Sequence, residues 1–83
     1  MGLGSLFAKK RRVQVTVVVT YVNGRSDTYR TVWETRKSPK AVATIVRSWM
    51  NSGSTSTVDI EGDNPVVINL HKVTNSTVTA REV

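Results

Sequence analysis

The alternation of apolar and polar residues over positions 13–22 limits the fold of this chain more than any other feature. The stretch reads VQVTVVVTYV and consists mostly of β-branched residues. A period of two places Val13, Val15, Val17 and Val19 on one face of an extended backbone. β-Branched side chains also favour strands over helices. The stretch therefore predicts a β-strand with one apolar face.

A second strand, TYRTVWETR, follows the turn residues Asn23 and Gly24. A two-residue turn at these positions would place Tyr29 and Trp33 on the face opposite the valine row. A loop of three or five residues puts both rings on the valine face, and the three-residue loop pairs Tyr29 with Val19. We therefore expect a loop of odd length, or a bulge. This position favours core packing of the two rings over stacking on nucleic-acid bases.

A helix is predicted for the stretch SPKAVATIVRSWMNSG. Ser38 suits an N-cap, Pro39 suits the first helical position, and Gly53 suits the C-terminal end. The apolar residues recur at the helical spacing i, i+3, i+4 and i+7, at Val42, Ile45, Val46 and Trp49. We expect a helix over 38–52 that buries this face.

Two short strands and a longer C-terminal segment are expected after the helix. STSTVDI and PVVINLHKV flank the turn-rich EGDNP, and pairing Ile60 with Val66 keeps their apolar rows together. Residues 65–83 are too many for one ordinary strand. We expect a break at Asn75-Ser76, which leaves TVTARE as an edge strand or as a strand donated to a partner.

The predicted fold is a single small α+β domain. An antiparallel sheet of four or five strands, in the order β-β-α-β-β with or without a fifth strand, carries one helix on one face. Residues 1–12 form a basic, flexible N-terminal arm, and residues 13–83 form the domain. The chain has 83 residues and no cysteine, so its core is thin and has no disulfide to support it. The residues expected in that core are Val13, Val15, Val17, Val19, Trp33, Val42, Ile45, Val46, Trp49, Val58, Ile60, Val66, Ile68 and Leu70.

The sequence offers little for catalysis or metal binding. His71 is the one histidine, and we expect it on the second, solvent-facing row of a strand. A single imidazole does not build a metal site or a catalytic triad by itself. The acidic turn DIEGDN places Gly62 at its fourth position, whereas a calcium-binding EF-hand loop needs glycine at the sixth. The chain is therefore predicted to be a non-enzyme without cofactor, metal or small-molecule substrate.

Charge is divided unevenly along the chain. Residues 1–53 carry ten Lys and Arg against two carboxylates, a net charge of +8, whereas residues 54–83 have a net charge of −2. Such a basic half favours a polyanion or an acidic protein as partner. We expect binding of nucleic acid through phosphate contacts, without sequence preference. The residues expected to contribute are Lys9, Lys10, Arg11, Arg12, Arg25, Arg36, Lys37, Lys40 and Arg47.

The basic segment FAKKRR has other interpretations. Leu3, Leu6 and Phe7 accompany its cations, but the apolar stretch is too short for stable membrane insertion. The cations could also be a solvated tail. The alternative function is a protein-interaction module, such as a small phage or viral accessory or inhibitor protein, which forms a homodimer or binds a partner through a sheet edge. The N-terminal residues do not fit a secretion signal, so the expected localisation is cytoplasmic.

Overall fold

The computed structural model describes residues 10–51 and 56–83, which form five β-strands, one α-helix and one 3₁₀ helix. These elements are β1 (Arg11–Tyr21), β2 (Ser26–Thr35), α1 (Pro39–Met50), β3 (Thr57–Ile60), β4 (Val66–Asn69), the 3₁₀ helix (Leu70–Lys72) and β5 (Val73–Glu82). The α+β class and the order β-β-α-β-β, followed by a fifth strand, are confirmed. Lys9 and Gly53 lie outside the described residues.

The five strands are divided between two antiparallel sheets. β1 lies between β2 and β5 in a three-stranded sheet, and β3 pairs with β4 in a second sheet. We expected one larger sheet, and the difference arises where the chain leaves β4. The Asn69 side chain accepts a hydrogen bond from the His71 N–H at 2.9 Å, and the 3₁₀ helix then leads the chain to β1. The predicted position of His71 within a strand is therefore wrong, because it lies on this 3₁₀ helix, but its predicted exposure to solvent is confirmed.

The β1–β2 loop has the odd length that the side-chain pattern predicts. Thr20 pairs with Ser26, so the loop spans residues 21–25. Within this loop the Tyr21 N–H donates to the Arg25 carbonyl at 2.8 Å, and the Gly24 N–H donates to the Tyr21 carbonyl at 2.9 Å. The aromatic residues of β2 share a face with the valine row, as predicted, although their partners are shifted by two positions.

β5 continues through the position where we expected a break. Asn75 pairs with Thr20, and Ser76 pairs with Val19, so the predicted interruption at Asn75-Ser76 is wrong. The interruption falls at the 3₁₀ helix instead. Asn75 is tolerated within the strand because it lies on the sheet face that the helix leaves uncovered, where a polar side chain meets water. β5 is an edge strand, as predicted.

The helix begins as the sequence predicts, but it turns a different face to the sheet. Ser38 is the N-cap, and its side-chain oxygen accepts a hydrogen bond from the Ala41 N–H at 3.2 Å. The helix packs mainly against β5 and less against β1. This orientation buries Val42, Ala43, Val46 and Met50. Trp49, which we expected in the core, is 39% exposed.

The core is organised around the valine row of β1. Val13, Val15, Val17 and Val19 are each no more than 1% exposed. The other buried apolar residues are Val42, Ala43, Val46, Met50, Val58, Ile60, Val66, Ile68 and Val78. The predicted core lacks Ala43, Met50 and Val78, because the packing of the helix on β5 was not foreseen. Trp33, Ile45 and Leu70 are half-buried rather than buried.

The stability of the second sheet can be tested within a single strand. Ile68 is 1% exposed, whereas its neighbour Val67 is 65% exposed. Ile68→Ala is expected to lower the free energy of unfolding by about 2–5 kcal/mol, because it opens a cavity in the core. Val67→Ala is expected to change it by no more than about 0.5 kcal/mol. Urea denaturation followed by circular dichroism measures both values, and equal losses would contradict the assigned register.

Candidate functional site

Four parts of the chain meet at one end of the three-stranded sheet. Arg11, at the start of β1, pairs with Thr35 at the end of β2, and Val13 pairs with Glu82 at the end of β5. The loop from β2 leads directly into α1, so the first turn of the helix lies at the same end. We call the exposed cations gathered there the cationic end: Lys10, Arg11, Arg12, Arg36, Lys37, Lys40 and Arg81.

Fewer carboxylates than cations lie at the cationic end, and Glu34 and Glu82 are among them. Glu34 pairs with Arg12 across β1 and β2. Glu82 lies 3.8 Å from the Arg11 guanidinium, and both side chains are about half exposed. Exposed pairs at this separation contribute little to stability, because water and salt screen them. The cations therefore outnumber the acids at this end, and their positive charge faces solvent.

The helix adds to the positive potential of the cationic end. Its first turn contains Lys40 and no acidic residue, and Lys37 precedes the Ser38 cap. Acidic residues are favoured in a first helical turn because the helix dipole is positive there. The Lys37 N–H donates to the Thr35 hydroxyl at 3.1 Å, which ties this loop to the end of β2. The arrangement is unfavourable for an isolated helix and suited to an anion.

The structure brings together six of the nine cations that the sequence predicts as a site, namely Lys10, Arg11, Arg12, Arg36, Lys37 and Lys40. Arg25 lies on the loop at the opposite end of the sheet, about 30 Å away for a strand of this length. Arg47 lies along the helix, where its Nη2 donates to the Val78 carbonyl at 3.0 Å. Lys9 lies outside the described residues.

Arg81 was not predicted as part of the site. It pairs with Gln14 across β1 and β5, and its Nε donates to the Gln14 side chain at 3.3 Å. In the sequence it falls in the mildly acidic half. Nothing local marks it as a member of a basic cluster, because its place depends on the pairing of the first strand with the last.

The opposite end of the sheet differs in character. The hydroxyl groups of Tyr21 and Tyr29 lie 3.0 Å apart and form a hydrogen bond. This bond, together with the loss of solvent around the group, raises the pKa of the Tyr21 phenol above its ordinary value. The cations at this end are Arg25 and Lys72, and Asp27 accompanies them. This end is therefore a natural reference for tests of the cationic end.

A groove of about 610 Å³ opens beside the cationic end, where β2, the helix and the β3–β4 turn meet. We call it the tryptophan groove. Its apolar lining comes from Val32, Trp33, Ile45 and Trp49, and its charged lining from Arg12, Lys37, Glu34, Glu61 and Asp63. The ring centroids of Trp33 and Trp49 are 5.8 Å apart, with 42° between their planes. This tilted contact is typical of aromatic pairs that pack against each other.

Packing rather than hydrogen bonding holds the Trp33 ring in place. The indole Nε1 of Trp33 is buried and has no hydrogen-bond partner among the described residues. The sequence pattern assigned both tryptophans to the core, since Trp49 fits the helical spacing and Trp33 shares a face with the valines. A groove shared by the two rings becomes visible only when the orientation of the helix is known.

The β3–β4 turn forms one wall of the groove and covers part of the outer edge of β2. The Asp63 carboxylate accepts hydrogen bonds from the Val32 N–H at 2.8 Å and from the Thr31 hydroxyl at 3.4 Å. The Asp63 N–H donates to the Val32 carbonyl at 3.1 Å, and Asn64 Nδ2 donates to the Arg30 carbonyl at 3.2 Å. The acidic turn is therefore a cap on an edge strand.

The comparisons with known proteins give no family for this chain. No protein-family model, curated protein sequence or solved structure matches it. Within residues 10–51 and 56–83, no group of three or more His, Cys, Asp or Glu side chains is placed to hold a metal ion. In the same two segments, no helix has the length and apolar character needed to cross a membrane. The cationic end and the tryptophan groove are therefore the features of this chain that bear on its function.

The close approach of the turn to β2 depends on Gly62. A Cβ atom at this position would overlap the Thr31 side chain and lie 2.9 Å from the Val32 carbonyl oxygen. Gly24 is a matched control, because it also has a positive φ but has no atom within 4 Å of such a Cβ. Both alanine variants are expected to lose about 1–2 kcal/mol of stability from the strained backbone.

Gly62→Ala is expected to lose about 1–3 kcal/mol more than Gly24→Ala, because the turn must move away from β2. Tryptophan fluorescence should shift in Gly62→Ala and not in Gly24→Ala, since the turn lines the tryptophan groove. Thermal denaturation and emission spectra measure the two effects. Equal stability and identical spectra for the two variants would contradict the described contact.

Proposed function

We propose that this protein is a non-enzymatic nucleic-acid-binding protein and that the cationic end contacts phosphates. The observation that carries the proposal is the meeting of seven exposed cations at one end of the sheet: Lys10, Arg11, Arg12, Arg36, Lys37, Lys40 and Arg81. A dense group of exposed cations attracts a polyanion strongly, because binding releases the counterions condensed along the phosphate backbone.

The uncovered face of the three-stranded sheet supports the same proposal. Arg12, Gln14 and Thr16 project from β1 on this face, and Arg81 lies beside Gln14. Arg30 from β2 lies beside Thr16. Arginine, glutamine and threonine side chains are common donors to phosphate and sugar oxygens. A nucleic-acid strand that starts at the cationic end could therefore continue along the sheet.

Contacts of this kind determine affinity rather than sequence choice. Phosphates are the same at every position of a nucleic acid, so cations that contact them position the protein without reading bases. The proposed binding is therefore weak to moderate, largely indifferent to sequence, and strongly weakened by salt. Several of the cations extend from hydrogen-bonded strands, such as Arg12 on β1 and Arg81 on β5, which holds the spacing of their contacts constant.

The contribution of the cationic end can be separated from that of net charge. Lys37→Ala/Lys40→Ala removes two cations from the cationic end, and Arg25→Ala/Lys72→Ala removes two from the opposite end. The first variant is expected to flatten the log–log dependence of affinity on salt by about 1.8 on duplex DNA, or about 1.4 on a single strand. The second variant should leave that slope nearly unchanged.

Fluorescence anisotropy with labelled DNA at several salt concentrations measures these slopes. Equal flattening in both double variants would mean that the total charge, and not the cationic end, governs binding. Failure of the intact protein to bind DNA or RNA at low salt would contradict the proposed function. Circular dichroism spectra of both variants exclude unfolding as the cause of lost affinity.

The outer edge of β5 favours a second candidate function, binding of a protein partner. The Val83 N–H donates to the Arg12 carbonyl at 2.9 Å. In an antiparallel pair, every second residue of β5 before Val83 therefore directs its backbone N–H and C=O groups towards β1. The intervening residues direct their backbone N–H and C=O groups away from the sheet: Ser76, Val78, Ala80 and Glu82. The Val78 carbonyl accepts the hydrogen bond from Arg47, so an acidic protein segment, or β5 of a second copy, could pair along the part of this edge that contains Ala80 and Glu82.

Pairing of β5 between two copies predicts a mass that rises with concentration. Ala80→Pro removes one outward N–H from the edge and should lower the dimer fraction, because proline cannot donate a ladder hydrogen bond. Ala80→Ser keeps the N–H and should leave the dimer fraction unchanged. Light scattering at several protein concentrations measures the mass. A strictly monomeric wild-type protein would exclude self-pairing and leave only a different partner for this edge.

A further inference from the structure

We propose that the tryptophan groove binds an unpaired base of a single-stranded nucleic acid whose phosphates lie on the cationic end. This inference rests on the proposed function and names its ligand class more narrowly. The observation behind it is that Arg12 and Lys37 belong to both surfaces, so one nucleotide can reach the groove and the cationic end together.

The aromatic part of the groove offers a face for stacking. Trp49 is 39% exposed, an unusual position for a large ring that its own helix could have buried. Trp33 packs against it, with 5.8 Å between the ring centroids. Bases stack on such exposed rings whatever their identity, because every base has a flat π face. A pair of rings in contact is a firmer platform than a single mobile side chain.

The charges around the groove favour a base rather than a phosphate inside it. Glu34, Glu61 and Asp63 line the groove alongside Arg12 and Lys37. Carboxylates repel a phosphate, but they can accept hydrogen bonds from the N–H groups of unpaired bases, which include the amino groups of adenine, cytosine and guanine and the ring N3–H of thymine. The groove therefore suits a neutral, flat ligand that carries donors, with its phosphate held outside among the cations.

A duplex would not place a base in this groove. Bases in a duplex are stacked on both faces, and removing one from the stack costs free energy. A single strand exposes its bases without that cost. The electrostatic part of the affinity is smaller on single strands than on a duplex. We therefore expect the part of the affinity that does not depend on salt to be larger for a single strand than for a duplex.

The ligand side of the proposal can be tested with the unchanged protein. The probes are an oligothymidylate of about 12 nucleotides and an abasic strand of the same length, which keeps the phosphates and lacks the bases. The oligothymidylate is expected to bind about 5- to 150-fold more tightly, the range measured for stacking of one base. It should also quench tryptophan fluorescence, and the abasic strand should not. Both tryptophans of the chain line the groove, so quenching reports directly on that site.

The protein side of the proposal is tested with Trp49→Ala, with Trp49→Phe as the conservative variant. Val67→Ala is the control, because Val67 is 65% exposed and does not line the groove. Trp49→Ala is expected to lower affinity for the oligothymidylate by the same factor at every salt concentration, leaving the salt slope unchanged. Trp49→Phe should recover most of the affinity. Val67→Ala should bind like the wild-type protein.

The outcomes separate this inference from the proposed function. If the abasic strand binds as tightly as the oligothymidylate and both show the same salt slope, the protein binds phosphates and the base site is wrong. If Trp49→Ala binds the oligothymidylate as tightly as the wild-type protein, the groove takes no base. If neither strand binds at low salt, nucleic-acid binding itself is wrong. Circular dichroism shows whether Trp49→Ala is folded. If it is not, the comparison of the oligothymidylate with the abasic strand still tests the base site, because it uses the unchanged protein.

Discussion

The pairing of β1 on both of its sides is the interaction on which the rest of the structure depends. β2 and β5 pair with its two sides, and its valine row belongs to one core cluster with the buried residues of α1 and of the second sheet. A domain of this size has no second core to compensate for a loss there. The cationic end and the open sheet edge are both consequences of this arrangement. The cationic end is where the three strands meet, and the open edge is the outer side of β5.

The antiparallel pairing explains how distant parts of the sequence come to share a surface. Both neighbours of β1 run opposite to it, so β2 and β5 both end beside the position where β1 begins. Arg12, Lys37 and Arg81 are brought together in this way. The two outer edges of the sheet are treated differently. On the outer edge of β2, the side chains of Asp63 and Asn64 form hydrogen bonds with the backbone. On the outer edge of β5, the Arg47 guanidinium donates a hydrogen bond to the backbone.

Local patterns predicted the elements well, and the failures lie where distant contacts decide. The valine alternation, the Ser38 cap and the parity of the first hairpin depend on neighbouring residues, and all three are confirmed. The division into two sheets and the exposure of Trp49 depend on where the helix and β5 pack. For the candidate site, composition identified most of its cations. It missed Arg81 and could not show the groove, because both require the tertiary arrangement.

The pairing of the first strand with the last has a consequence for how the chain folds. Val17 pairs with Val78, so nearly the whole domain lies between two residues that must meet. Contacts this distant in sequence raise the contact order, and folding slows because the entropy of closing a long loop is lost before those contacts form. During synthesis, one side of β1 can find its native partner only after β5 has left the ribosome. Until then that side is an unpaired apolar strand edge, the kind of surface that chaperones recognise and that aggregates form around.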